Sequence, residues 1–304
     1  MKELVLKKES SLLELQDIRN YAESFFEYLD VDELTLKQYK VGIKCFMNYL
    51  LEKEISNPTR NNIIDFRNML RNNYSSNTVN TYMIAIRSLF KYLSINFGLE
   101  NVAEDIKGSR TNNVPKKQVL SMEQAQYIYN NLTDPREKCL FSLLITTGLR
   151  GVEVSKARLE DISIHNGEIV LWVQCKKHDS KDEYVKLSNK VVEDIQNYVG
   201  DRKNGYIFVS TSNHNNGGGV TTKTLRLLIK NIFKRFGLDS DTFSLHSTRR
   251  SSATIMYENG VDLYSIQQIL HHKSSATTTR YINAITRNNN KGESIVSDAI
   301  LGGI

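Results

Sequence analysis

The chain has 304 residues, of which 40% are hydrophobic and 24% charged, enough apolar material to bury a core and a length that suits two domains. Forty Lys and Arg against 34 Asp and Glu leave a formal net charge of +6, a balance that fits a phosphate-rich partner without identifying one. Cys45, Cys139 and Cys175 stand far apart and exclude a disulfide framework or a zinc ribbon; the charged start MKELVLKKESS and the lack of any apolar run of about 18 residues argue against a signal peptide and a membrane span, so a reducing, cytoplasmic setting is expected.

The first hundred residues read as helices. From Leu12 to Leu29 the positions Leu13, Ile18, Tyr21, Ala22, Phe25 and Leu29 fall close to helical spacing. A second helix fits Thr35 to Leu51, with Tyr39, Ile43, Phe46 and Leu50 on one face. Asn57-Pro58-Thr59 is a break followed by a cap, after which a helix fits Asn61 to Arg71. Ser75-Ser76-Asn77 opens a fourth, in which Val79, Tyr82, Met83, Ile86, Leu89 and Phe90 recur every three or four residues. Its other side carries Asn80, Arg87 and Lys91, which is either a solvated face or, for Arg87 and Lys91, a place for DNA phosphates. Lys107 to Lys117 (KGSRTNNVPKK) is polar, basic and broken by Pro115, and reads as an interdomain linker.

Beyond it, Ser121 to Asn131 and Pro135 to Thr147 read as helices, the second ending at Gly148. Gly167 to Val173 and Glu183 to Leu187 read as a hairpin around Lys176 to Asp182, with Tyr206 to Val209 as a candidate third strand. The Asn215-Asn216-Gly217-Gly218-Gly219 stretch has no following GK[ST] and is not a phosphate cradle. Thr221 to Phe236 is amphipathic: Leu225, Leu228, Ile229, Ile232 and Phe236 form its buried side, while Lys223, Arg226, Lys230 and Lys234 step by three, four and four along another. That stripe suits a DNA-facing surface, with ordinary surface lysines as the plain alternative. Further helices fit Thr248 to Asn259, Asp262 to Leu270 and Thr277 to Ala284. In the tail, Ile295, Val296, Ala299 and Ile300 make an apolar stripe too short to be stable without a docking partner.

Four short segments of the second half carry chemistry. They are Thr146-Thr147-Gly148-Leu149-Arg150-Gly151-Val152-Glu153, the hairpin segment Lys176 to Lys181, Leu245-His246-Ser247-Thr248-Arg249, and Ile269-Leu270-His271-His272 followed nine residues after His272 by Tyr281. Singly, each has a structural account: Arg150 as a helix-terminal cation, Tyr281 as one of 15 tyrosines, His272 as an ordinary histidine. Together, in this order and with these gaps, they resemble the tyrosine recombinase (phage integrase) family, whose elements are TGLR-x-x-E, a hairpin lysine, H-x-x-R, and L-x-H with a tyrosine nine residues on. The likeness is close over residues 118–285 and loose over the rest.

The resemblance implies a mainly α fold: a helical core-binding (SAM-like) domain over 10–106, a linker at 107–117, an α+β catalytic domain over 118–286 with a small antiparallel sheet, and a tail at 287–304 that docks on a neighbouring protomer or on its own domain. It implies site-specific cleavage and rejoining of double-stranded DNA through a 3′-phosphotyrosyl bond to Tyr281, with neither metal nor ATP, by a homo-oligomer of two protomers per site and four in the synapse. Arg150 and Arg249 would stabilise the charge that builds on the phosphate oxygens. His246 would serve as base and His272 as a hydrogen-bond donor to the phosphate. Lys177 would protonate the departing 5′-oxygen, with Lys176 its adjacent competitor, and Glu153 would orient its neighbours. Because the chain opens almost directly on the core-binding region, a simple Xer-like or small mobile-element recombinase is expected rather than a larger phage integrase. His271 stands where the family has glycine, which leaves His271 as an alternative to His272 at the phosphate although the spacing favours His272, and HSTRR stands where the family has a leucine and a second histidine. A silent DNA-binding protein of the same fold and a type IB topoisomerase remain as alternatives.

Overall fold

The computed structural model describes residues 15–110, 118–175, 180–212, 215–238, 241–271, 279 and 292–302, without the side chains of 15–20 and 292–294. The backbone falls into two units, Met1–Asn112 and Asn113–Ile304, each with its own apolar core.

The first unit holds α1 (Leu15–Tyr28), α2 (Glu33–Glu52), α3 (Arg60–Asn73) and α4 (Ser76–Phe97). Short polar residues fix where these helices begin, by accepting otherwise orphaned backbone N–H groups. Asp32 accepts from Thr35 N at 2.8 Å and Ser75 from Thr78 N at 3.3 Å. At α3, Asn62 reaches back to accept from Thr59 N at 2.8 Å. The apolar stripes of α2, α3 and α4 meet at Phe46, whose ring lies edge-on to Phe66 at 5.0 Å and to Phe90 at 6.1 Å. All three rings are fully buried, each worth about 1.5–3 kcal/mol by area.

Residues 104–109 lie against this unit. Arg60 donates to the Glu104 carbonyl, Arg87 to Ile106 at 3.4 Å, Arg67 to Lys107 at 3.2 Å and Arg71 to Gly108. Asn80 closes the row: its Oδ1 accepts from Ser109 N at 2.7 Å and its amide donates to Ser109 O at 3.1 Å. A Cβ at Gly108 would sit 2.0 Å from Asn80 Oδ1 and would push that side chain off Ser109. Lys107, Gly108 and Ser109, expected in the linker, are therefore part of the first unit; 111–117 lie outside the described residues.

In the second unit, α5 (Met122–Asn131) and α6 (Pro135–Thr147) lead into α7 (Gly151–Lys156), a 3₁₀ turn at Leu159–Asp161, β1 (Ile162–His165), β2 (Glu168–Val173), β3 (Glu183–Lys186) and α8 (Asn189–Val199). Then follow α9 (Thr222–Arg235), α10 (Leu245–Glu258), α11 (Leu263–Ile269) and α12 (Gly292–Leu301). Helix α6 is buried nearly all round, from Cys139 through Leu144, with α5, α8, α9 and α10 packed about it, as a central apolar helix requires.

The sheet is antiparallel in the order β1-β2-β3, with Ile162 opposite Leu171 and Val173 opposite Glu183. Its third strand is thus Ile162–His165, which the sequence reading missed. Tyr206 and Val209 instead make isolated bridges to Arg158 and Gly219, because Arg202 and Gly219 take up the backbone groups around them. On one face Trp172 meets His165 and Tyr184 edge to face at 5.4 and 5.2 Å, the His165 and Tyr184 rings are tilted at 5.1 Å, and Trp172 Nε1 donates to Ser163 Oγ at 3.0 Å. Helix α8 was also not anticipated. Helix α10 starts at Leu245 rather than Thr248, because Ser247 Oγ accepts from Ser244 N at 3.0 Å and caps the earlier turn. The helix expected at Thr277 to Ala284 lies outside the described residues apart from Thr279. Among the described residues no helix is long and apolar enough to cross a membrane.

Candidate active site

The site is built where α6 ends. Gly148 closes that helix in the left-handed conformation, φ +65, where glycine has no Cβ penalty. It is doubly required, since a Cβ would meet Leu270 Cδ2 at 2.4 Å and Ser252 Oγ at 3.2 Å. This close approach draws the end of α11 and the body of α10 onto the turn that carries Arg150.

Arg150 is the N-cap of α7. Its backbone N–H donates to Glu153 Oε2 at 2.6 Å and its Nη1 to Glu153 Oε1 at 2.8 Å, so the carboxylate caps the helix and holds the guanidinium at once. Glu153 has no exposed side-chain surface, whereas Arg150 keeps 28%. From the other side Arg249 Nη1 stands 3.9 Å from Glu153 Oε2. Arg249 also donates to the Gly148 carbonyl at 2.7 Å and to the Leu270 carbonyl, and its side chain is 2% exposed. Two guanidiniums thus flank one carboxylate, and the group keeps one net positive charge. Burying that charge is tolerable because each partner is hydrogen-bonded as well as paired.

His246 sits one turn before Arg249 on α10, and its side chain is exposed. Crowding by surrounding protein, then the positive charges of Arg249, Arg250 and Arg150, push its imidazole pKa down to about 4. At neutral pH the ring is therefore uncharged and carries a basic lone pair. Neighbouring His271 is shifted down in the same sense by burial, against the opposing pull of Glu183 and Glu153.

Lys176, Lys177, His272 and Tyr281 lie outside the described residues. Cys175 and His271, the described residues that border Lys176 and His272, lie close to the Arg150 guanidinium. Cys175, just before Lys176, senses Glu153, Glu183 and Arg150, although burial is the main cause that lifts its thiol to about 11. The carbonyl of His271, just before His272, is 3.4 Å from Arg150 Nη2. Lys181 is engaged elsewhere: it pairs with Asp161 of the 3₁₀ turn, which also accepts from Arg158 N at 2.8 Å, and so it anchors the base of the β2–β3 connection. The sequence reading did not foresee that anchor, since its partners stand 20 residues apart in no recognisable motif.

The DNA-facing candidates differ among themselves. Lys91, Lys223, Arg226 and Lys234 are exposed and Lys230 is half-buried; no ion pair among the described residues engages them. Arg87 is half-buried and turned to the Ile106 carbonyl.

Residues 118–287 match the phage integrase family, and residues 22–95 match the phage integrase N-terminal SAM-like domain. The tyrosine recombinase XerA of Pyrococcus horikoshii is 28% identical over 92% of this chain and 95% of its own length. A tyrosine recombinase of Thermosipho africanus is 30% identical over 82% and 88%. Among solved structures, XerH recombinase bound to its palindromic difH substrate in a post-cleavage complex superposes with a TM-score of 0.72 at 19% identity, covering 91% of this chain and 84% of that one. A lambda integrase dimer bound to a COC′ core site superposes at 0.70 and 15%, covering 90% and 78%.

Proposed function

The chain belongs to the phage integrase family, and on that footing we propose that it is a site-specific tyrosine recombinase, cutting and rejoining double-stranded DNA through Tyr281. The Tyr281 phenol attacks the scissile phosphorus and passes its proton to His246. The phosphorus–O5′ bond breaks, Lys177 protonates the departing 5′-oxygen, and a 3′-phosphotyrosyl ester remains. A 5′-hydroxyl from the partner strand then reverses these steps, so the energy of the original ester is kept and no nucleotide is consumed. Arg150, the more exposed guanidinium, meets the phosphate oxygens. Arg249 supplies a fixed charge beneath it, and His272 adds a hydrogen bond.

The observation that carries this reading is the pair of guanidiniums on buried Glu153 with the His246 imidazole one helical turn away. Preorganised cations stabilise a pentacoordinate phosphate without reorganisation during the reaction. A protein that only bound DNA would have no use for an uncharged base beside them.

In the proposed division of labour, residues 10–106 form the core-binding domain and 118–286 the catalytic domain. The stripe Lys223, Arg226, Lys230 and Lys234 faces the duplex backbone together with Lys91. Two protomers occupy a site and four form the synapse, an assembly seen for lambda integrase on a Holliday junction. Helix α12, whose Ile295, Val296, Ile300 and Leu301 are all more than half exposed, docks on a neighbouring protomer. The setting is cytoplasmic.

The test needs a substrate. A half-site is selected from a randomised duplex pool by retention on the protein, and a nick is then placed near the cleavage point so that the cut strand cannot rejoin. Wild type is expected to give a covalent protein–DNA adduct; Tyr281→Phe is expected to bind with unchanged affinity and give none. A mobility shift alone from wild type would mean a silent binder. Relaxation of supercoiled plasmid lacking the selected site would mean a topoisomerase.

A further inference from the structure

The proposed chemistry gives His271 no part, yet three features of the structure meet there. Its backbone has φ +49, a region that residues with a Cβ enter only against steric opposition. Its ring is nearly buried, 8% exposed, with Nε2 3.3 Å from the Tyr184 carbonyl and 3.7 Å from the Glu183 carboxylate. Its own carbonyl lies 3.4 Å from Arg150 Nη2, and the carbonyl of Leu270 before it accepts from Arg249. A carbonyl can only accept, so the Tyr184 contact assigns the ring proton to Nε2.

The turn after α11 is thus gripped twice. Both active-site guanidiniums hold it through successive carbonyls, and an imidazole ties it to strand β3. Glycine would occupy this φ without strain but could not make the second link. A strained conformation persists only when its surroundings over-determine it, and here the ring contacts do so.

We propose that His271 is a positioning residue: its imidazole fastens the Leu270–His271 turn to β3, and so fixes the two carbonyls that orient Arg150 and Arg249 toward the phosphate. The charged and polar groups that act on it are Glu183 and Tyr184 from β3, Glu153 from α7 and Arg249 from α10, and its ring contacts are with β3. Sequence continuity carries the effect further, because β3 follows the segment holding Lys177 and the turn precedes His272. The inference rests on the recombinase reading.

The experiment uses full-length protein and the nicked duplex described above, measuring the rate of adduct formation at saturating DNA, the DNA concentration giving half-maximal rate, and the melting temperature. His271→Gly is expected to slow adduct formation by roughly ten- to a hundredfold, the scale found when the partners that orient metal-ligating side chains are removed. It should leave half-saturation unchanged and the melting temperature no lower. His271→Gln, whose amide nitrogen can reach the place of Nε2, is expected to restore most of the rate. The inference is overturned by a wild-type rate in His271→Gly, by a loss that tracks a lowered melting temperature, or by failure of His271→Gln to restore the rate. Absence of adduct from wild type would overturn the recombinase reading instead.

Discussion

The two units use arginine in opposite ways. In the first, Arg60, Arg67, Arg71 and Arg87 each turn to a backbone carbonyl of residues 104–108, and no carboxylate joins them in these contacts. In the second, Arg150 and Arg249 close on a single buried carboxylate. The first arrangement is spread along a solvent-facing stripe and holds chain in place. The second is concentrated and dry, and keeps charge ready for a substrate. The same side chain gives a tether in water and a preorganised cation out of it, because Coulombic interactions grow as solvent is removed.

Breaking the dry arrangement should have the largest effect. Arg249→Ala leaves Glu153 with one cation and strips a donor from the Gly148 and Leu270 carbonyls. We expect a loss of about 3–5 kcal/mol in denaturant unfolding and a fall in adduct formation of about a hundredfold or more. Unchanged stability would show that the carboxylate does not depend on it.

Glu153→Gln comes next. The amide keeps part of the hydrogen bonding but leaves two guanidiniums without their counter-charge, at a cost of about 1–3 kcal/mol in the same measurement. A stabilised variant would mean that the pair of cations needs no carboxylate.

The wet arrangement should yield less. Replacing Arg60, Arg67 and Arg71 together by alanine should cost about 1 kcal/mol or less per exposed contact. Amide hydrogen exchange at 104–109 should rise while α2 and α4 stay protected. Protection that persists at 104–109 would assign the grip to Asn80 and Arg87.

Because His246 is exposed and solvent screens its charge, the smallest effect is the pH dependence of stability through it. Its folded pKa lies near 4, below the ordinary value of about 6.5, so between those values the unfolded chain binds the extra proton and the folded one does not. Stability therefore falls as pH drops from about 6.5 toward 4 and is fully present above that window. Against a His246→Gln variant, wild type should lose melting temperature across that window and run parallel to it above pH 7. Parallel curves throughout would mean that the imidazole is not held neutral.

Much of this was legible in the sequence because local chemistry decided it. The four helices of the first unit follow from apolar spacing and from caps such as Ser75, and α6 from Pro135 at one end and Gly148 at the other. Strand β1 was missed although Asn166-Gly167 is the two-residue turn that favours a hairpin; both residues have positive φ, +50 and +80. Attention to that dipeptide would have found it. Helix α8 carries its own signal, Ser188 capping Val191 N at 3.4 Å. The grip on 104–109 was not legible. Nothing in the spacing of Arg60, Arg67 and Arg71 marks their targets, since the carbonyls they meet stand 37–44 residues away. The convergence of Arg150, Glu153 and Arg249 was legible only as a motif. Its geometry depends on Gly148 admitting Leu270, a contact between segments more than a hundred residues apart.

The chain contains a single tryptophan, and it lies on β2, in a cage formed by His165, Tyr184 and Ser163. Light absorbed selectively by indole is therefore re-emitted from one strand of the sheet that His271 contacts, while the whole first unit stays dark. Tyr184 touches that indole with its ring and His271 with its carbonyl. A shift in emission wavelength on adding DNA would thus give a native, label-free report from the strand to which the Leu270–His271 turn is fastened.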